Sequence, residues 1–327
     1  MCRLDPFLTA ENAEVFAQQR TQREKIKNIL NARGTKDSAF SATSAVESFS
    51  DQAQEGNVNS KPDLERLTAM VHSTPKYRHV APDFVRQIGA RELAKGRSWK
   101  EALKATKRKL HQVAGAYLNA GVRYDEWLAT LRAAHAEGSA AFRAACAQVM
   151  KGHASTRERL PFLDTFYTPL LADLPPLHTV LDIGCGLHPL ALPWMGLPDR
   201  TTYVALDIYK DMAAFLNDFF SLLAIHGRAE ASNVLHTLPT LRADLALLLK
   251  TIPCLEQVEK AAGRQLLARV PADILLVSFP AQSLTGRRGK GMGMNYAAHF
   301  HNLVADTGWT VERFDFPTEL VFRVRKG

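Results

Sequence analysis

Residues Val180-Leu181-Asp182-Ile183-Gly184-Cys185-Gly186 decide the fold, because they have the pattern of a buried strand that ends in a glycine-rich turn. Aliphatic residues surround Asp182, and two glycines follow in the spacing Gly-x-Gly. Glycine lets the backbone turn sharply and leaves room for a ligand against the main chain. Pro189 stands where a third glycine would complete Gly-x-Gly-x-x-Gly. A pyrophosphate-binding dinucleotide site is therefore disfavoured.

A second strand pattern runs from Tyr203 to Ile208 and carries Asp207 near its end, 21 residues after Gly186. Nucleotide-binding α/β folds place a carboxylate at about this distance, where it binds ribose hydroxyls. Together the two features predict a site for an adenosine-containing cofactor. S-adenosylmethionine fits better than a dinucleotide, since it has no phosphate.

The second half of the chain alternates strand and helix patterns. Strands are predicted at 178–183, 201–208, 231–235, 243–250, 272–279, 309–316 and 319–325. Helices are predicted between them, for example at Met212–Ile225 and Leu255–Leu267. Five strand–helix units imply a parallel sheet. Only Pro317 and Thr318 separate the last two strands, which must then form an antiparallel hairpin. We expect an α/β, Rossmann-like fold of the class I S-adenosylmethionine-dependent methyltransferase type.

Three segments of different composition suggest the domain organisation. Residues 1–63 are expected to be an N-terminal extension, with one polar helix at Ala10–Arg33 and disorder from Gly34 to Asp63. Helical periodicity runs from Pro75 to about Met150, including a predicted helix at Tyr124–Cys146, and residues 64–160 are expected to form a helical domain. Residues 161–327 would form the methyltransferase domain.

Positive charge is concentrated in the predicted helical domain. The chain has a net charge of +8, and the stretch from Lys76 to His111 holds eleven Lys or Arg residues against Asp83, Glu92 and Glu101. Such a segment is typical of proteins that bind a phosphate backbone. A solvated helix face would explain the same charges.

The four cysteines, Cys2, Cys146, Cys185 and Cys254, have neither metal-ligand spacing nor a disulfide framework. This use of cysteine is typical of a reducing compartment. No secretory segment and no apolar run long enough to span a bilayer is apparent. We therefore expect a cytoplasmic protein without a metal site.

A basic, glycine-rich stretch follows the fifth predicted strand, at Ser278–Met292. It places Arg287, Arg288 and Lys290 at the edge of the sheet where the ligand is expected. We interpret it as a loop that holds a nucleic-acid target. The stretch Asp244–Pro253 lacks the Asn-Pro-Pro-Tyr pattern of enzymes that methylate exocyclic amines, so such an acceptor is disfavoured.

Six segments, taken in order, resemble the aminoglycoside-resistance 16S rRNA methyltransferases that modify N7 of guanine-1405. They are HASTRERLPFLDTFY, VLDIGCGLHPLAL, ALDIYKDM, ADLALLLKTIPCLEQ, SFPAQSLTGRRGKGMGMNYAAHF and TELVFRVRK. The resemblance covers roughly residues 64 to 327. It implies a helical RNA-binding domain on a class I fold, S-adenosylmethionine as cofactor, and the 30S subunit as substrate of a monomeric enzyme.

The resemblance also implies roles for single residues. Arg159 would hold the carboxylate of the cofactor, Asp207 its ribose, and Asn233 its adenine, although an aspartate is often found at the last position. His188 stands where an asparagine is common. The full implied cofactor set is Tyr117, His153, Ala154, Ser155, Arg159, Gly184, Gly186, Asp207, Asn233, Val234, Leu249 and Gln257.

On the RNA side, positions within the basic segment are expected to contact rRNA phosphates. These are Lys76, Arg78, Arg86, Lys95, Arg97, Lys104, Lys107, Arg108 and Lys109. Arg287, Arg288 or Lys290 would position the target, and which of the two arginines does so is open. Guanine-1405 lies in an rRNA helix, so base flipping is expected, with Trp194, Phe166 or Tyr167 available for stacking.

Three other functions stay open on sequence grounds. A methyltransferase of the same fold could act on N1 of an adenine in the same rRNA helix. A small-molecule methyltransferase would leave the basic segment without a role. A non-catalytic ribosome-binding factor would not need Arg159, Gly184, Gly186 and Asp207 in place.

Overall fold

The computed structural model describes residues 60–119, 121–281 and 292–327. The predicted N-terminal helix at Ala10–Arg33 and the loop cations Arg287, Arg288 and Lys290 lie outside the described residues. Within the described ranges, no helix is long and apolar enough to cross a membrane.

A seven-stranded sheet forms the centre of the molecule, in the order β3-β2-β1-β4-β5-β7-β6. Its strands are β1 Thr179–Ile183, β2 Thr202–Asp207, β3 Gly227–Ala231, β4 Ala243–Leu249, β5 Ala272–Pro280, β6 Thr310–Phe316 and β7 Glu319–Arg325. The first five are parallel, and β7 runs antiparallel to both β5 and β6. The predicted fold and the terminal hairpin are therefore confirmed.

The central strands β1 and β4 are almost continuously apolar because helices cover both faces of the sheet. The carboxyl ends of β1, β2 and β4 meet at one edge, where ligands of open α/β sheets bind. The helices associated with the sheet are α6 Ala154–Arg159, α7 Leu163–Leu171, α8 Leu192–Met195, α9 Lys210–Leu222, α10 Ile252–Val258, α11 Ala262–Arg269 and α12 Met292–Leu303.

Helices also dominate the chain before the sheet. They are α1 Ser60–His72, α2 Pro82–Leu93, α3 Trp99–Leu110, α4 Tyr124–Glu137 and α5 Ser139–Met150. A capping box starts α3, since the Ser98 hydroxyl accepts from the Glu101 amide and the Glu101 carboxylate accepts from the Ser98 amide. One π-helical turn, His111–Gly115, ends it.

The helical segment and the sheet share one core, and residues 59–327 form one compact unit. Tyr124 of α4 stacks on Phe215 of α9 with ring centroids 5.1 Å apart. Two isolated β-bridges, Val80 to Tyr209 and Leu118 to His153, join the two parts through the backbone. The predicted division near residue 160 stays a prediction.

The third strand was predicted at 231–235, but β3 occupies Gly227–Ala231. Its burial alternates around the small Ala229, which gives it little apolar signal. The more apolar Val234 and Leu235 lie in the following turn, where the Asn233 carboxamide oxygen accepts the Leu235 amide at 3.2 Å.

Two predicted helices are each broken in two. Gly138, with φ 116°, ends α4 and precedes α5 in a conformation that favours glycine. The predicted helix at 255–267 becomes α10 and α11. Arg91 of α2 donates to the Val258 carbonyl and to the Glu259 carboxylate at this break.

The first described helix starts earlier than expected. Helix α1 begins at Ser60, inside the segment that was predicted to be disordered up to Asp63.

Candidate cofactor and RNA site

A cleft lies at the carboxyl edge of the sheet, with about 700 Å³ of space that is partly open to solvent. The strand ends form its floor, and the helical segment and α10 form its walls. The residues that line it are Phe84, Val113, Ala114, Tyr117, His153, Ser155, Gly184, Asp207, Ile208, Tyr209, Ser232, Val234, Leu249, Lys250, Thr251, Cys254 and Leu255.

The glycine turn after β1 leaves backbone open to the cleft. Gly184 and Gly186 have φ values of 66° and 51°, which side chains rarely adopt. A Cβ on Gly184 would lie 2.7 Å from Thr251 Cγ2, and one on Gly186 would lie 2.9 Å from His153 Cε1. Both glycines are therefore required by conformation and by space.

Asp207 ends β2 and is fixed by backbone donors. Its carboxylate accepts from the Gly186 amide at 2.9 Å and from its neighbour Ile208 at 2.7 Å. Burial raises its pKa to about 6, although the backbone hydrogen bonds act in the opposite direction. The carboxylate lines the cleft, where it can accept hydrogen bonds from hydroxyl groups.

His153 and Tyr117 close the cleft from the helical side. Their rings stack with centroids 6.1 Å apart, and His153 Nδ1 lies 2.9 Å from the Ser155 hydroxyl. Burial and the nearby cations lower the pKa of His153 to about 4, so the ring is neutral at physiological pH. Burial raises the pKa of Tyr117, which therefore stays protonated.

A buried network of charges lies beside the cleft. Glu319 binds the Arg159 guanidinium through both of its oxygens, at 2.6 and 3.1 Å, and accepts the Ser278 hydroxyl at 2.5 Å. The Lys250 ammonium lies 2.8 Å from Glu158 and 3.4 Å from Glu319. Although burial alone would raise it, the cations hold the pKa of Glu319 down at about 2. This buried network comprises Glu158, Arg159, Lys250, Ser278 and Glu319.

Lys250 is the member of this network that reaches the cleft. Its φ of 59° is unusual for a residue other than glycine. The Ser278 carbonyl and hydroxyl hold its amide at 3.1 and 2.9 Å. Arg159, by contrast, is 1% exposed and does not line the cleft. The predicted contact of Arg159 with the cofactor carboxylate stays a prediction, and Lys250 is the cation that lines the cleft itself.

The structure brings together seven of the residues implied for the cofactor, namely Tyr117, His153, Ser155, Gly184, Asp207, Val234 and Leu249. The other five are not part of the cleft lining. Gln257 is exposed on α10, and the remaining four are Ala154, Arg159, Gly186 and Asn233. Sequence reasoning missed Lys250 and Thr251, although Lys250 ends a predicted strand and Thr251 directly follows it. Nothing in the sequence signalled Phe84, Val113 or Ala114, because they come from a distant segment.

The cations predicted to bind RNA fall into two groups. Arg86 pairs with Glu65 at 3.1 Å, and both Lys95 and Arg97 pair with Glu92. The other group has no carboxylate within 4 Å among the described residues, and Lys76 instead donates to His111 Nδ1 at 2.9 Å. We call this second group the basic face, which comprises Lys76, Arg78, Lys104, Lys107, Arg108 and Lys109.

The three aromatic side chains suggested for base stacking do not line the cleft. Phe166 and Tyr167 are buried, and the Tyr167 hydroxyl lies 2.7 Å from His188 Nε2. Trp194 donates to Asp164 at 2.8 Å. The aromatic residues that do line the cleft are Phe84, Tyr117 and Tyr209.

Most of the chain is similar to known proteins. Residues 73–323 match the model of the family described as "Ribosomal RNA methyltransferase (FmrO)". The chain is 39% identical over 267 residues to a 16S rRNA (guanine(1405)-N(7))-methyltransferase of Frankia casuarinae, covering 80% of this chain and 94% of that protein. A Serratia marcescens protein of the same description is 33% identical over 262 residues, covering 80% and 98%.

The fold is also similar to solved structures of 16S rRNA methyltransferases. The 16S rRNA methyltransferase RmtF, solved in complex with S-adenosyl-L-homocysteine, superposes with a TM-score of 0.68 at 33% identity. The 16S rRNA methylase RmtB superposes with a TM-score of 0.66 at 28% identity. Each comparison covers 81% of this chain and 98% of the other.

Proposed function

The chain belongs to the ribosomal RNA methyltransferase (FmrO) family, and on this premise we propose that it methylates N7 of guanine-1405 in 16S rRNA, with S-adenosylmethionine as methyl donor. The observation that carries the proposal is a cofactor-type cleft whose helical wall continues into a basic face. Relatives at up to 39% identity are described by this reaction. Such methylation would put a fixed positive charge into a site that binds cationic aminoglycosides, and the phenotype is resistance to them.

The residues of the cleft fit S-adenosylmethionine. Asp207 would accept the ribose hydroxyls, and Val234 and Leu249 would flank the adenine. The open backbone at Gly184 would lie under the methionine part, next to His153 and Ser155. A Cβ at either glycine would meet Thr251 or His153, so the turn can pack this closely against the other walls of the cleft only with glycine at both positions.

Lys250 is the cation at the cleft that can meet the carboxylate of the cofactor. Arg159 would act on that carboxylate through the buried network, because Glu319 binds its guanidinium and also lies 3.4 Å from the Lys250 ammonium. Arg159 is then a positioning residue. It fixes the glutamate that holds Lys250 in place.

The reaction needs no general base, because guanine N7 carries no proton and has a lone pair in the ring plane. The sulfonium of the bound cofactor supplies an electrophilic methyl group. The cleft contributes orientation and exclusion of water, effects that together can lower a barrier by about 7–11 kcal/mol. His153, which is neutral, and Tyr117, which stays protonated, add no charge that would change near neutral pH.

Substrate binding would use two sets of cations. The basic face would contact rRNA phosphates of the 30S subunit. Arg287, Arg288 or Lys290 would contact the flipped guanine, since an arginine can pair with guanine O6. We propose that the enzyme acts as a cytoplasmic monomer, with residues 64–160 as its main rRNA-binding domain.

The decisive experiment is tritiated methyl transfer from S-adenosylmethionine to purified 30S subunits, followed by borohydride–aniline cleavage and primer extension. A single cut at guanine-1405 is the expected result. Incorporation without this cut would move the activity to another base. Absence of incorporation, with the cofactor still bound, would contradict the proposed substrate.

The loop cations can be tested in the same assay. We expect the double variant Arg287→Ala, Arg288→Ala to keep S-adenosylhomocysteine affinity and to lose methyl transfer, because the loop would act on the target. Isothermal titration calorimetry and the transfer assay give the two readouts. Loss of cofactor affinity would contradict this role.

A further inference from the structure

A side-chain amide pair connects the helical segment to the cleft. Asn233 follows β3, is 1% exposed, and donates from Nδ2 to Oε1 of Gln87 on α2 at 2.9 Å. Gln87 was not among the residues that the sequence indicated. The pair joins α2 to the turn after β3, two elements that are distant in the chain.

Hydrogen bonding fixes which end of each amide is which. The Leu235 backbone amide can only donate, so the Asn233 atom 3.2 Å from it must be the carboxamide oxygen. Asn233 consequently donates from its NH2 group to Gln87, and the Gln87 side-chain oxygen accepts this hydrogen bond. The Nε2 group of Gln87 is thereby assigned as a donor that points elsewhere.

That donor has no protein partner. Gln87 Nε2 is buried and makes no hydrogen bond with any residue that the structure describes. A buried amide NH without an acceptor destabilises the fold, and buried polar groups are rarely left in this state. An acceptor supplied by a ligand would remove the cost.

Gln87 does not itself line the cleft, but residues next to it and next to its partner Asn233 do. Phe84, one helical turn before it, lines the cleft, and so do Ser232 and Val234 on either side of Asn233. Asp207, the group suited to ribose, lies at the end of the neighbouring strand β2. Phe84 and Val234 make this end of the cleft apolar, which suits a flat heterocycle.

We infer that Gln87 donates from Nε2 to a ring nitrogen of the cofactor's adenine and so positions the purine in the cleft. Adenine offers three such acceptors, N1, N3 and N7. Both ends of the Asn233 carboxamide are already bound within the protein. Gln87, rather than Asn233, then supplies the side-chain contact to the base. This inference rests on the proposed cofactor.

The test compares Gln87→Glu and Gln87→Met with the wild type by calorimetric titration of S-adenosylhomocysteine at pH 8. Gln87→Glu keeps an acceptor for Asn233 and removes the donor, whereas Gln87→Met removes both. We expect roughly tenfold weaker binding in each variant, since one hydrogen bond contributes about that factor. Gln265→Glu makes the same chemical change at an exposed site on α11 and should bind like the wild type.

Three analogues that lack N1, N3 or N7 in turn separate a direct contact from a structural effect. One of them should bind the wild type roughly tenfold more weakly than S-adenosylhomocysteine, and in Gln87→Met this difference should vanish. Equal losses for every analogue would overturn the inference, and so would wild-type affinity in both variants. If the wild type itself failed to bind S-adenosylhomocysteine, the proposed cofactor would be wrong instead.

Discussion

The cleft and the basic face hold their charges in opposite ways. In the buried network beside the cleft, Arg159 and Lys250 are each paired with Glu319, which is itself completely buried. On the basic face, Lys104, Lys107 and Arg108 extend from α3 without a carboxylate within 4 Å among the described residues. One region is fixed by its own ion pairs, and the other keeps its charges available.

The difference fits the two kinds of ligand that we propose for the two regions. A small cofactor presents the same groups in every turnover, so a rigid arrangement can match it. An RNA backbone is bound by cations that replace its counterions, and cations already paired within the protein contribute less to that exchange. The buried network therefore holds cations that position other groups, whereas the basic face holds cations that are available for the proposed contacts with RNA.

The largest expected effect comes from breaking the buried network. Glu319→Gln should lower the free energy of unfolding by about 3–5 kcal/mol, because Arg159 and Lys250 would be left buried with too little negative charge. Chemical denaturation at pH 7 measures this. Asp315→Asn, which breaks an exposed pair with Arg313, is the matched control and should cost less than about 1 kcal/mol.

The pH dependence of that loss follows from the pKa of Glu319. Its folded-state pKa of about 2 lies below the ordinary 4.5. Its contribution to stability is therefore present above pH 4.5 and is lost as the pH falls towards 2. A constant difference between wild type and Glu319→Gln across this range would contradict the assignment.

The next largest effect concerns Asp207, the carboxylate that we propose accepts the ribose hydroxyls. Asp207→Asn should weaken S-adenosylhomocysteine binding at pH 7.5 by at least about tenfold, because a charged acceptor of hydroxyl hydrogen bonds is lost. Calorimetric titration measures the loss. Unchanged affinity would show that Asp207 does not bind the ribose.

The same variant should change how the stability of the ligand-free protein depends on pH. Burial raises the pKa of Asp207 from 3.8 to about 6. Its favourable contribution is therefore complete below pH 3.8 and is lost as the pH rises through about 6. Thermal unfolding between pH 4 and 7 should show this loss in the wild type and not in Asp207→Asn.

The smallest effect per residue is expected on the basic face. The variant Lys104→Ala, Lys107→Ala, Arg108→Ala should weaken 30S binding and flatten its salt dependence, by about 0.7–0.9 in logarithmic slope for each lost phosphate contact. Filter binding between 50 and 200 mM salt provides the measurement. The control variant Arg228→Ala, Arg242→Ala, Arg313→Ala removes the same charge from exposed ion pairs. Equal slopes for the two variants would show that the basic face is only a solvated surface.

Local patterns predicted the parts of the fold that have a strong local signal. The run from Val180 to Ile183 and the hairpin around Pro317 could be assigned from sequence because apolar strands and short connections have few alternatives. The edge strand β3 was misplaced, since its single inward side chain is Ala229. The break between α10 and α11 could not be foreseen, because Arg91, far away in the chain, binds the residues at that point.

The candidate site divides in the same way. Gly184 and Asp207 were predicted because Gly184 directly follows a strand, Asp207 lies near the end of one, and each has a role that only a few residue types can fill. The partner of Arg159 was missed, because its pairing with Glu319 spans 160 residues and only the folded chain brings them together. Gln87 and Phe84 carried no signal, since nothing in the sequence places α2 against the end of β3.

The π-helical turn at the end of α3 has a consequence for how enzymes of this kind can be recombined. Val113 and Ala114 of that turn, with Tyr117 just after it, form one wall of the cleft, while the basic face begins one turn earlier on the same helix. A chimera that grafts this helical segment onto another methyltransferase sheet would exchange a wall of the cleft together with the basic face that we propose to bind rRNA. To keep the cleft intact, the helical segment and the sheet would therefore have to be exchanged together.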